Sequence, residues 1–233
     1  MIDISATTTL TFDCYGTLID WETGIAAALG PILERHGASI TEERLLEQYV
    51  DLEAAEESGD YVSYRSILAN VLRRFGRELG FDPGNAELDA FASSVIEWPA
   101  FEDSAAALKQ LKEQFELVII SNTDDDLFAA SNLKLEVAFD RVITAQQTKA
   151  YKPSEKMFLS ALEVIGRPKD EILHVAHSIY HDIIPAKQFG LKTVWVTRGD
   201  DSSGSGATPP DEAQPDLEVR DMRELASILT NIK

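Results

Sequence analysis

The sequence predicts an α/β fold, in which helices cover both faces of a parallel sheet and an all-helical segment is inserted near its start. Three observations lead to this prediction. The chain has 233 residues, 44% of them hydrophobic, enough for one large domain or a core with a smaller companion. From residue 102 onward, short apolar runs alternate with single helical patterns, which favours parallel strands joined by crossover helices. No convincing strand lies between residues 21 and 98.

The first strand is predicted just before a glycine-containing turn. Residues 9–12 alternate polar and apolar side chains, a pattern typical of a strand. The turn begins at Asp13 and contains Gly16 and Thr17. The strand is therefore expected to end near Asp13.

The helical segment follows this turn. Apolar residues recur at helical spacing in two sets, and a glycine that can end a helix follows each set. The first set precedes Gly37 and the second precedes Gly80: Ile25, Leu29, Ile32 and Leu33, then Ile67, Val71, Phe75 and Leu79. We therefore divide the chain into a helical cap, residues 21–98, and a core, residues 1–20 and 99–233.

The second half of the chain alternates helices and strands. Ser104 is positioned to cap a helix, and residues 117–120 form an apolar run of the kind found in buried parallel strands. The elements expected next are a strand over 139–144, a helix over 154–165, a strand over 172–176, a helix over 185–190 and a strand over 193–197. A loop rich in serine, glycine and proline over 201–214 is interpreted as a spacer or a flap.

Composition excludes several classes of partner. The chain carries 21 Lys and Arg against 40 Asp and Glu, a formal net charge of −19, so its field repels nucleic acid and anionic membrane surfaces. No apolar run approaches the ~18 residues that would span a membrane. The single cysteine, Cys14, and the lack of a signal-peptide pattern favour a cytoplasmic location. Acidic runs over 42–60 and 200–218 are interpreted as solvated faces or loops.

Polar residues follow four of the predicted strands: Asp13, the pair Ser121 and Asn122, Lys152, and the segment 177–182. In an open parallel sheet the carboxyl ends of the strands meet at one edge, where ligands bind. Each of these residues also has an ordinary explanation as a helix cap, a turn residue or a solvated charge. Their shared position nevertheless predicts one site that combines carboxylates, an ammonium group, a hydroxyl and an amide.

These segments resemble the four motifs of the haloacid dehalogenase superfamily. The resembling strings are Phe12-Asp13-Cys14-Tyr15-Gly16-Thr17-Leu18, Ile120-Ser121-Asn122, Tyr151-Lys152-Pro153, and His174-Val175-Ala176-His177-Ser178 with Asp182. The resemblance spans nearly the whole chain and implies a Rossmann-like catalytic core with a helical cap inserted between the first and second motifs. Within the superfamily, the chain resembles the type II (S)-2-haloacid dehalogenases, and residues 12–25 look closest to the branch that contains azetidine-2-carboxylate hydrolase.

The resemblance implies a hydrolase with Asp13 as its nucleophile. The Asp13 carboxylate would displace a halide from a carbon atom and form an ester, which water then hydrolyses. Lys152 would keep Asp13 ionised and oriented, and the Thr17 hydroxyl would orient or stabilise the reacting groups. Asp182 is expected to be the base for the water, with His177 as an orienting residue or a substitute base.

The substrate is expected to be a small carboxylic acid. In the resembled dehalogenases, residues of the second motif bind its carboxylate, which implies this role for Ser121 and Asn122. Cys14 and Tyr15, next to the nucleophile, are also predicted to bind substrate. Residues 124–126 are expected to stabilise the start of the helix that follows.

Two positions favour displacement at carbon over phosphoryl transfer. Phosphatases of the superfamily carry an aspartate two residues after the nucleophile, where this chain has Tyr15, and a metal-binding aspartate where it has His177. A halide leaves without a proton, so loss of an acid is tolerable in a dehalogenase. Mg²⁺ prefers oxygen ligands. We therefore expect no metal and no other cofactor.

The chain departs from the dehalogenase pattern at the halide site. The type II enzymes receive the halide on a cap arginine, but the corresponding residues 45–50 include none, and Arg44 and Arg65 are the nearest candidates. Ile179 replaces a fourth-motif asparagine. The (S)-2-haloacids rank first as substrates. The alternatives are ring opening of azetidine-2-carboxylate-like substrates, a magnesium-dependent phosphatase, and a non-catalytic binding protein. A homodimer is expected from the resemblance alone.

Overall fold

A computed structural model describes residues 4–198 and 214–231. Six strands form one parallel sheet in the order β3-β2-β1-β4-β5-β6. They are β1 (Thr9–Phe12), β2 (Glu116–Ser121), β3 (Arg141–Thr144), β4 (Ile172–Ala176), β5 (Lys192–Val196) and β6 (Leu217–Val219). This is the strand order of a Rossmann-like fold, and it confirms the predicted fold class. The predicted loop over 201–214 lies outside the described residues except for Gln214.

Strand β1 lies in the middle of the sheet and all four of its residues are buried. Leu10 of β1 pairs in register with Leu117 of β2 on one side and with Leu173 of β4 on the other. A central strand that is buried on both faces is typical of a parallel sheet covered by two helical layers. The chain leaves β1 toward β2 on one side and returns to β4 on the other, so the crevice where ligands bind in such folds opens next to β1.

Four helices lie within residues 21–98, between β1 and the helix that precedes β2, where the sequence predicts no strand. They are α1 (Trp21–Arg35), α2 (Glu42–Glu57), α3 (Tyr64–Leu79) and α4 (Asn85–Ser93), followed by a 3₁₀ turn, Ser94–Glu97. Helix α3 shows the local signals: the Ser63 hydroxyl accepts a hydrogen bond from the N–H of Ser66 at 3.2 Å, and Gly80 ends the helix with a φ of 81°. We propose that these helices form the cap, with the bounds 21–98 given above.

The remaining helices are α5 (Ser104–Lys112), α6 (Asp125–Leu135), α7 (Ala145–Thr148), α8 (Glu155–Ile165), α9 (Ile184–Gln188) and α10 (Met222–Asn231). The capping prediction for Ser104 is wrong, because Asp103 precedes α5 and the Ser104 hydroxyl donates to the carbonyl of Leu18 at 2.9 Å. Strand β3 begins two residues later than predicted, and β6 and α10 were not predicted. In the described ranges no helix is long and apolar enough to cross a membrane.

Helix α1 packs closely against Trp98 at the end of the helical segment. A Cβ atom added to Gly24 would lie 2.3 Å from two atoms of the Trp98 ring, so only glycine permits this approach. The Trp98 ring also meets the Tyr15 ring edge-on, with 5.5 Å between ring centroids. This packing connects the helical segment to the loop that follows β1.

Candidate active site

A small cavity lies between the carboxyl ends of the strands and helix α2. Its volume is about 120 Å³, well below the ~300–1,000 Å³ of sites for drug-sized ligands. The sheet contributes Asp13, Asn122 and Lys152 to its wall, the turn after β4 contributes His177, and α2 contributes Glu57. The residues predicted to converge after β1, β2, β3 and β4 therefore do come together, although Ser121 is an exception described below.

Asp13 follows β1 directly and is held at both carboxylate oxygens. Its Oδ1 accepts a hydrogen bond from Nζ of Lys152 at 2.8 Å, and its Oδ2 accepts one from the Thr17 hydroxyl at 2.7 Å. The Thr17 oxygen in turn accepts from the backbone N–H of His177 at 2.9 Å. Gly16, with a φ of 91°, allows the tight turn that brings Thr17 back to Asp13. The carboxylate therefore has a fixed orientation in the cavity.

Lys152 is 2% exposed and uses all three of its ammonium protons. Its Nζ donates to Oδ1 of Asp13, to Oδ1 of Asp182 at 2.7 Å, and to the carbonyl of Ile120 at 3.0 Å. Burial alone would lower the pKa of Lys152, but the two carboxylates outweigh that effect and raise the pKa above its usual range. Lys152 is therefore a charged bridge between Asp13 and Asp182.

Asp182 lies in a π-helical turn, Ile179–Ile183, that leads into α9. Its Oδ1 accepts from Lys152 and from Nε2 of His174 at 3.0 Å, and Nδ1 of His174 lies 2.8 Å from the Thr11 hydroxyl. Burial alone would raise the pKa of Asp182, but Lys152 and His174 outweigh it and lower the pKa to about 2. Oδ2 of Asp182 is buried and has no hydrogen-bond partner within the described residues.

His177 lines the same cavity as Asp13. Its Nδ1 lies 2.8 Å from the carbonyl oxygen of Val196. Because a carbonyl oxygen only accepts, Nδ1 must carry the hydrogen, and Nε2 of the neutral ring is then a hydrogen-bond acceptor. His177 is thus an imidazole with one anchored nitrogen and one accepting nitrogen, in the wall of the cavity that Asp13 also lines.

Asn122 and Tyr15, both predicted to bind substrate, line the cavity but already have partners. The Asn122 amide group donates to Oε2 of Glu57 and to the carbonyl of Lys152, both at 3.1 Å, and its oxygen accepts from the N–H of Lys152 at 2.6 Å. The Tyr15 hydroxyl lies 3.1 Å from the Ser131 hydroxyl. Asn122 therefore connects Lys152 to the helical segment.

Ser121 and Cys14 differ from this pair, because both are fully buried and neither lines the cavity. The Ser121 hydroxyl has no partner among the described residues. Burial raises the pKa of the Cys14 thiol well above its usual value, so the thiol stays protonated. A substrate-binding role for these two residues stays a prediction.

Helix α2 contributes a carboxylate wall that the sequence analysis missed. Tyr49, Glu53 and Glu57 are spaced four apart, which places them on one helix face, and all three line the cavity. The hydroxyls of Tyr49 and Tyr64 donate to Oε1 of Glu53 at 2.7 and 2.6 Å. Burial raises the pKa of both glutamates, and the charge of Glu53 raises that of Glu57 further. The interpretation of the run 42–60 as a solvated face is wrong at these two positions.

Neither candidate arginine reaches the cavity. Arg44 is exposed and pairs with Glu47 at 2.9 Å, and Arg65 pairs with Asp126 at 2.6 Å. No arginine lines the cavity in the part of the chain that the structure describes, and Ile179 lies in its wall. The halide-binding arginine that the resemblance implies therefore has no counterpart in the described part of the cavity wall.

Asp124, which follows β2, is hydrogen-bonded to the helical segment. Its Oδ1 accepts from the N–H of Tyr64 and its Oδ2 from the N–H of Arg65, both at 3.1 Å. These N–H groups belong to the first turn of α3, where a negative charge is favourable. Asp124 precedes α6 but makes no side-chain hydrogen bond to that helix. Its carboxylate hydrogen-bonds to α3 and not to α6, so stabilisation of the start of α6 by the charge of Asp124 stays a prediction.

Comparison with known proteins agrees with this geometry. Residues 7–190 match the family model described as haloacid dehalogenase-like hydrolase. The chain belongs to the haloacid dehalogenase-like hydrolases. It is 26% identical over 223 residues to an (S)-2-haloacid dehalogenase of Pseudomonas fluorescens, an alignment that covers 94% of this chain and 95% of that enzyme. An (S)-2-haloacid dehalogenase of Xanthobacter autotrophicus is 29% identical over 192 residues, which cover 80% of this chain and 74% of the relative.

Solved structures show the same fold. The L-2-haloacid dehalogenase of Xanthobacter autotrophicus superposes on this hydrolase with a TM-score of 0.82 at 21% identity, covering 97% of this chain and 100% of that one. A second structure of that enzyme carries covalently bound chloropropionic acid. The family match makes this chain a hydrolase of the haloacid dehalogenase-like family, and its homologues include (S)-2-haloacid dehalogenases.

The site of this hydrolase is a poor fit for the magnesium ion that phosphatases of the superfamily use. Both oxygens of Asp13 and Oδ1 of Asp182 already accept hydrogen bonds, and His177 stands where those phosphatases have an aspartate. Mg²⁺ requires about six oxygen ligands in octahedral geometry. Within residues 4–198 and 214–231, no group of three or more His, Cys, Asp or Glu side chains is arranged to hold a metal ion.

Proposed function

We propose that this hydrolase displaces the substituent at C2 of a small 2-substituted alkanoic acid through an ester on Asp13. The (S)-2-haloacids are the first-ranked substrates because the relatives aligned over most of the chain carry that activity in their names. The observation that carries the proposal is the position of Asp13, which lines a cavity of about 120 Å³ with both oxygens held by Lys152 and Thr17.

The first step consumes the negative charge of Asp13. One carboxylate oxygen attacks C2, the bond from C2 to the substituent breaks, and a halide leaves with the bonding electrons. Lys152 keeps Asp182 as its partner after Asp13 has become a neutral ester, so the buried ammonium group is never without an opposite charge. Tyr15 is an unsuitable acid for this step, since burial raises the pKa of its hydroxyl above the usual range. A halide ion leaves without taking up a proton, so this step needs no acid.

The second step regenerates Asp13. Water attacks the ester carbon of Asp13, one water proton goes to a base, and the alkoxide of the product takes up a proton as it leaves as a 2-hydroxy acid. We infer that Nε2 of His177 is this base, because Nδ1 is anchored on Val196 and Nε2 remains an acceptor. Asp182 is the other candidate base, because its Oδ2 has no hydrogen-bond partner among the described residues.

A second candidate is ring opening of an azetidine-2-carboxylate-like substrate. The observation that favours it is the lack of an arginine among the described residues of the cavity wall. A ring nitrogen displaced from carbon stays attached to the product through the rest of the ring, so no site for a free halide ion is needed.

Product release from four compounds, each with Mg²⁺ and with EDTA, tests these proposals. The compounds are (S)-2-chloropropionate, fluoroacetate, azetidine-2-carboxylate and p-nitrophenyl phosphate. EDTA-resistant turnover of a halide substrate supports the first proposal, and turnover of the azetidine supports the second. Turnover of the phosphate alone, and only in the presence of Mg²⁺, would overturn both proposals in favour of the phosphatase alternative. Lack of turnover of all four compounds would contradict both proposals.

A further inference from the structure

We propose that Glu53 and Glu57 form a binding site for a positively charged nitrogen of the substrate. The proposal rests on the proposed function, because it concerns the selectivity of the same cavity. The substrates that fit the carboxylate wall of α2 are then small carboxylic acids that also carry an ammonium or ring-amine group. It adds two specificity-determining residues to the displacement chemistry of Asp13.

Carboxylates outnumber ammonium groups around the cavity. Four carboxylates line it, at Asp13, Glu53, Glu57 and Asp182, against the single ammonium group of Lys152. The three Lys152 protons are already committed to Asp13, Asp182 and a backbone carbonyl. The cavity is therefore rich in hydrogen-bond acceptors and has no free ammonium group in the described residues.

Each glutamate accepts hydrogen bonds at one of its two carboxyl oxygens. The Tyr49 and Tyr64 hydroxyls both donate to Oε1 of Glu53, and the Asn122 amide donates to Oε2 of Glu57. The described residues supply no donor to the other oxygen of either glutamate. These hydrogen bonds fix the two carboxyl groups in the wall and leave one oxygen of each for a ligand that donates.

A further carboxylate, Asp182, lies on the opposite side of the cavity. Asp182 belongs to the turn after β4 and not to the wall of α2, it is 1% exposed, and its Oδ2 has no hydrogen-bond partner in the described chain. A buried carboxylate oxygen without a partner carries a large desolvation cost. A positive charge in this cavity would reduce that cost electrostatically, whereas a second anion would increase it.

A cationic nitrogen satisfies all three conditions. An ammonium or ring-amine group can donate two or three hydrogen bonds, and charge-assisted hydrogen bonds to carboxylates are among the stronger ones in proteins. The substrate would then be zwitterionic, with the positive nitrogen on α2 and the reacting carbon facing Asp13.

The test compares two ligands that differ in this nitrogen alone, azetidine-2-carboxylate and its carbocyclic analogue cyclobutanecarboxylate. Binding is measured by titration calorimetry to the Asp13→Asn variant, in which no ester can form. We expect the azetidine to bind about tenfold or more tightly. In that background Glu57→Gln, whose amide oxygen can still accept from Asn122, should reduce the preference to about threefold or less, and Glu53→Gln should reduce it in the same direction.

Glu47→Gln is the matched control, since Glu47 also lies on α2 but pairs with Arg44 away from the cavity, and this change should leave the preference intact. Thermal melts of each variant confirm folding. Equal affinity for the two ligands, a preference that survives both cavity substitutions, or no binding of either ligand would overturn the proposal. None of these measurements depends on ester formation, so a failed binding test and a failed displacement reaction are separate results.

Discussion

Nζ of Lys152 lies 2.8 Å from Oδ1 of Asp13, and the two side chains are 2% and 6% exposed. Two opposite charges this deeply buried are stable only as a pair with further hydrogen bonds. Lys152 has those hydrogen bonds, because Asp182 and the carbonyl of Ile120 accept its other two protons. Asp13 and its counter-ion Lys152 therefore form one structural unit with Asp182.

Replacing Lys152 by Met should damage both folding and activity. The substitution leaves Asp13 and Asp182 as two buried carboxylates without a cation, and loss of one partner of a buried pair costs about 3–5 kcal/mol of unfolding free energy. Urea denaturation measures this loss. The double variant Lys152→Met with Asp182→Asn should recover part of the stability but none of the activity. Wild-type stability in the single variant would show that the buried pair has no such role.

Thr17 should contribute to catalysis through its hydroxyl group. Thr17→Val keeps the shape but removes the donor to Asp13 and the acceptor for the N–H of His177. A lost hydrogen bond to a charged group is worth about 1.5–3 kcal/mol, so we expect kcat to fall by roughly 10- to 100-fold. Thr17→Ser retains the hydroxyl and should stay within a few-fold of wild type. Similar losses in both variants would point to packing of the methyl group instead.

Asp182 should give the protein a characteristic loss of stability in acid. Its pKa in the folded state is lowered to about 2 by Lys152 and His174 against the effect of burial, below the ~3.9 of an unfolded chain. Because the folded-state pKa is depressed, the stabilisation is complete above about pH 4 and is lost as the pH falls toward 2. The contribution is about 2–3 kcal/mol.

Unfolding free energies measured between pH 2 and 6 test this prediction. Asp182→Asn should flatten the dependence of the unfolding free energy on pH below pH 4. Asp126→Asn is the matched control, since Asp126 is an exposed carboxylate whose pKa is also lowered, by a surface pair with Arg65. A slope that is identical in wild type and Asp182→Asn would contradict the assignment.

Asp124 should hold the helical segment against the sheet. Asp124→Ala removes the acceptor for two N–H groups at the start of α3, and loss of an N-terminal cap costs about 0.5–2 kcal/mol. Hydrogen exchange should therefore speed up in the first turn of α3 more than in β1. Asp125→Ala provides a comparison, since Asp125 accepts from Thr144 and Gln147 and not from α3.

The sequence predicts much of this fold because its signals are local. The apolar run of β2 and the spaced apolar residues of α3 identify their elements without knowledge of their neighbours, and the rule for parallel sheets then brings Asp13, Asn122 and Lys152 to one edge. Strand β6 was missed because three edge residues, Leu217–Val219, give too short a pattern to recognise.

The carboxylate wall is harder to predict for a physical reason. Glu53 and Glu57 lie in an acidic run that resembles a solvated helix face, and the tyrosine that holds Glu53 from α3 is 11 residues away along the chain. Which face of α2 meets the cavity depends on how the helices pack on the sheet. The spacing of Tyr49, Glu53 and Glu57 at every fourth residue is the signal that would have grouped them.

A single turnover in ¹⁸O-labelled water shows whether Asp13 forms an ester with the substrate. Enzyme in excess over substrate should incorporate ¹⁸O into the Asp13 carboxylate, because water attacks the ester carbon of Asp13 rather than the carbon of the substrate. Peptide mass spectrometry locates the label, and the Asp13→Asn variant is the control. Label in the Asp13 peptide would support the ester on Asp13. Turnover with label in the product alone would contradict it, since water would then have attacked the substrate directly.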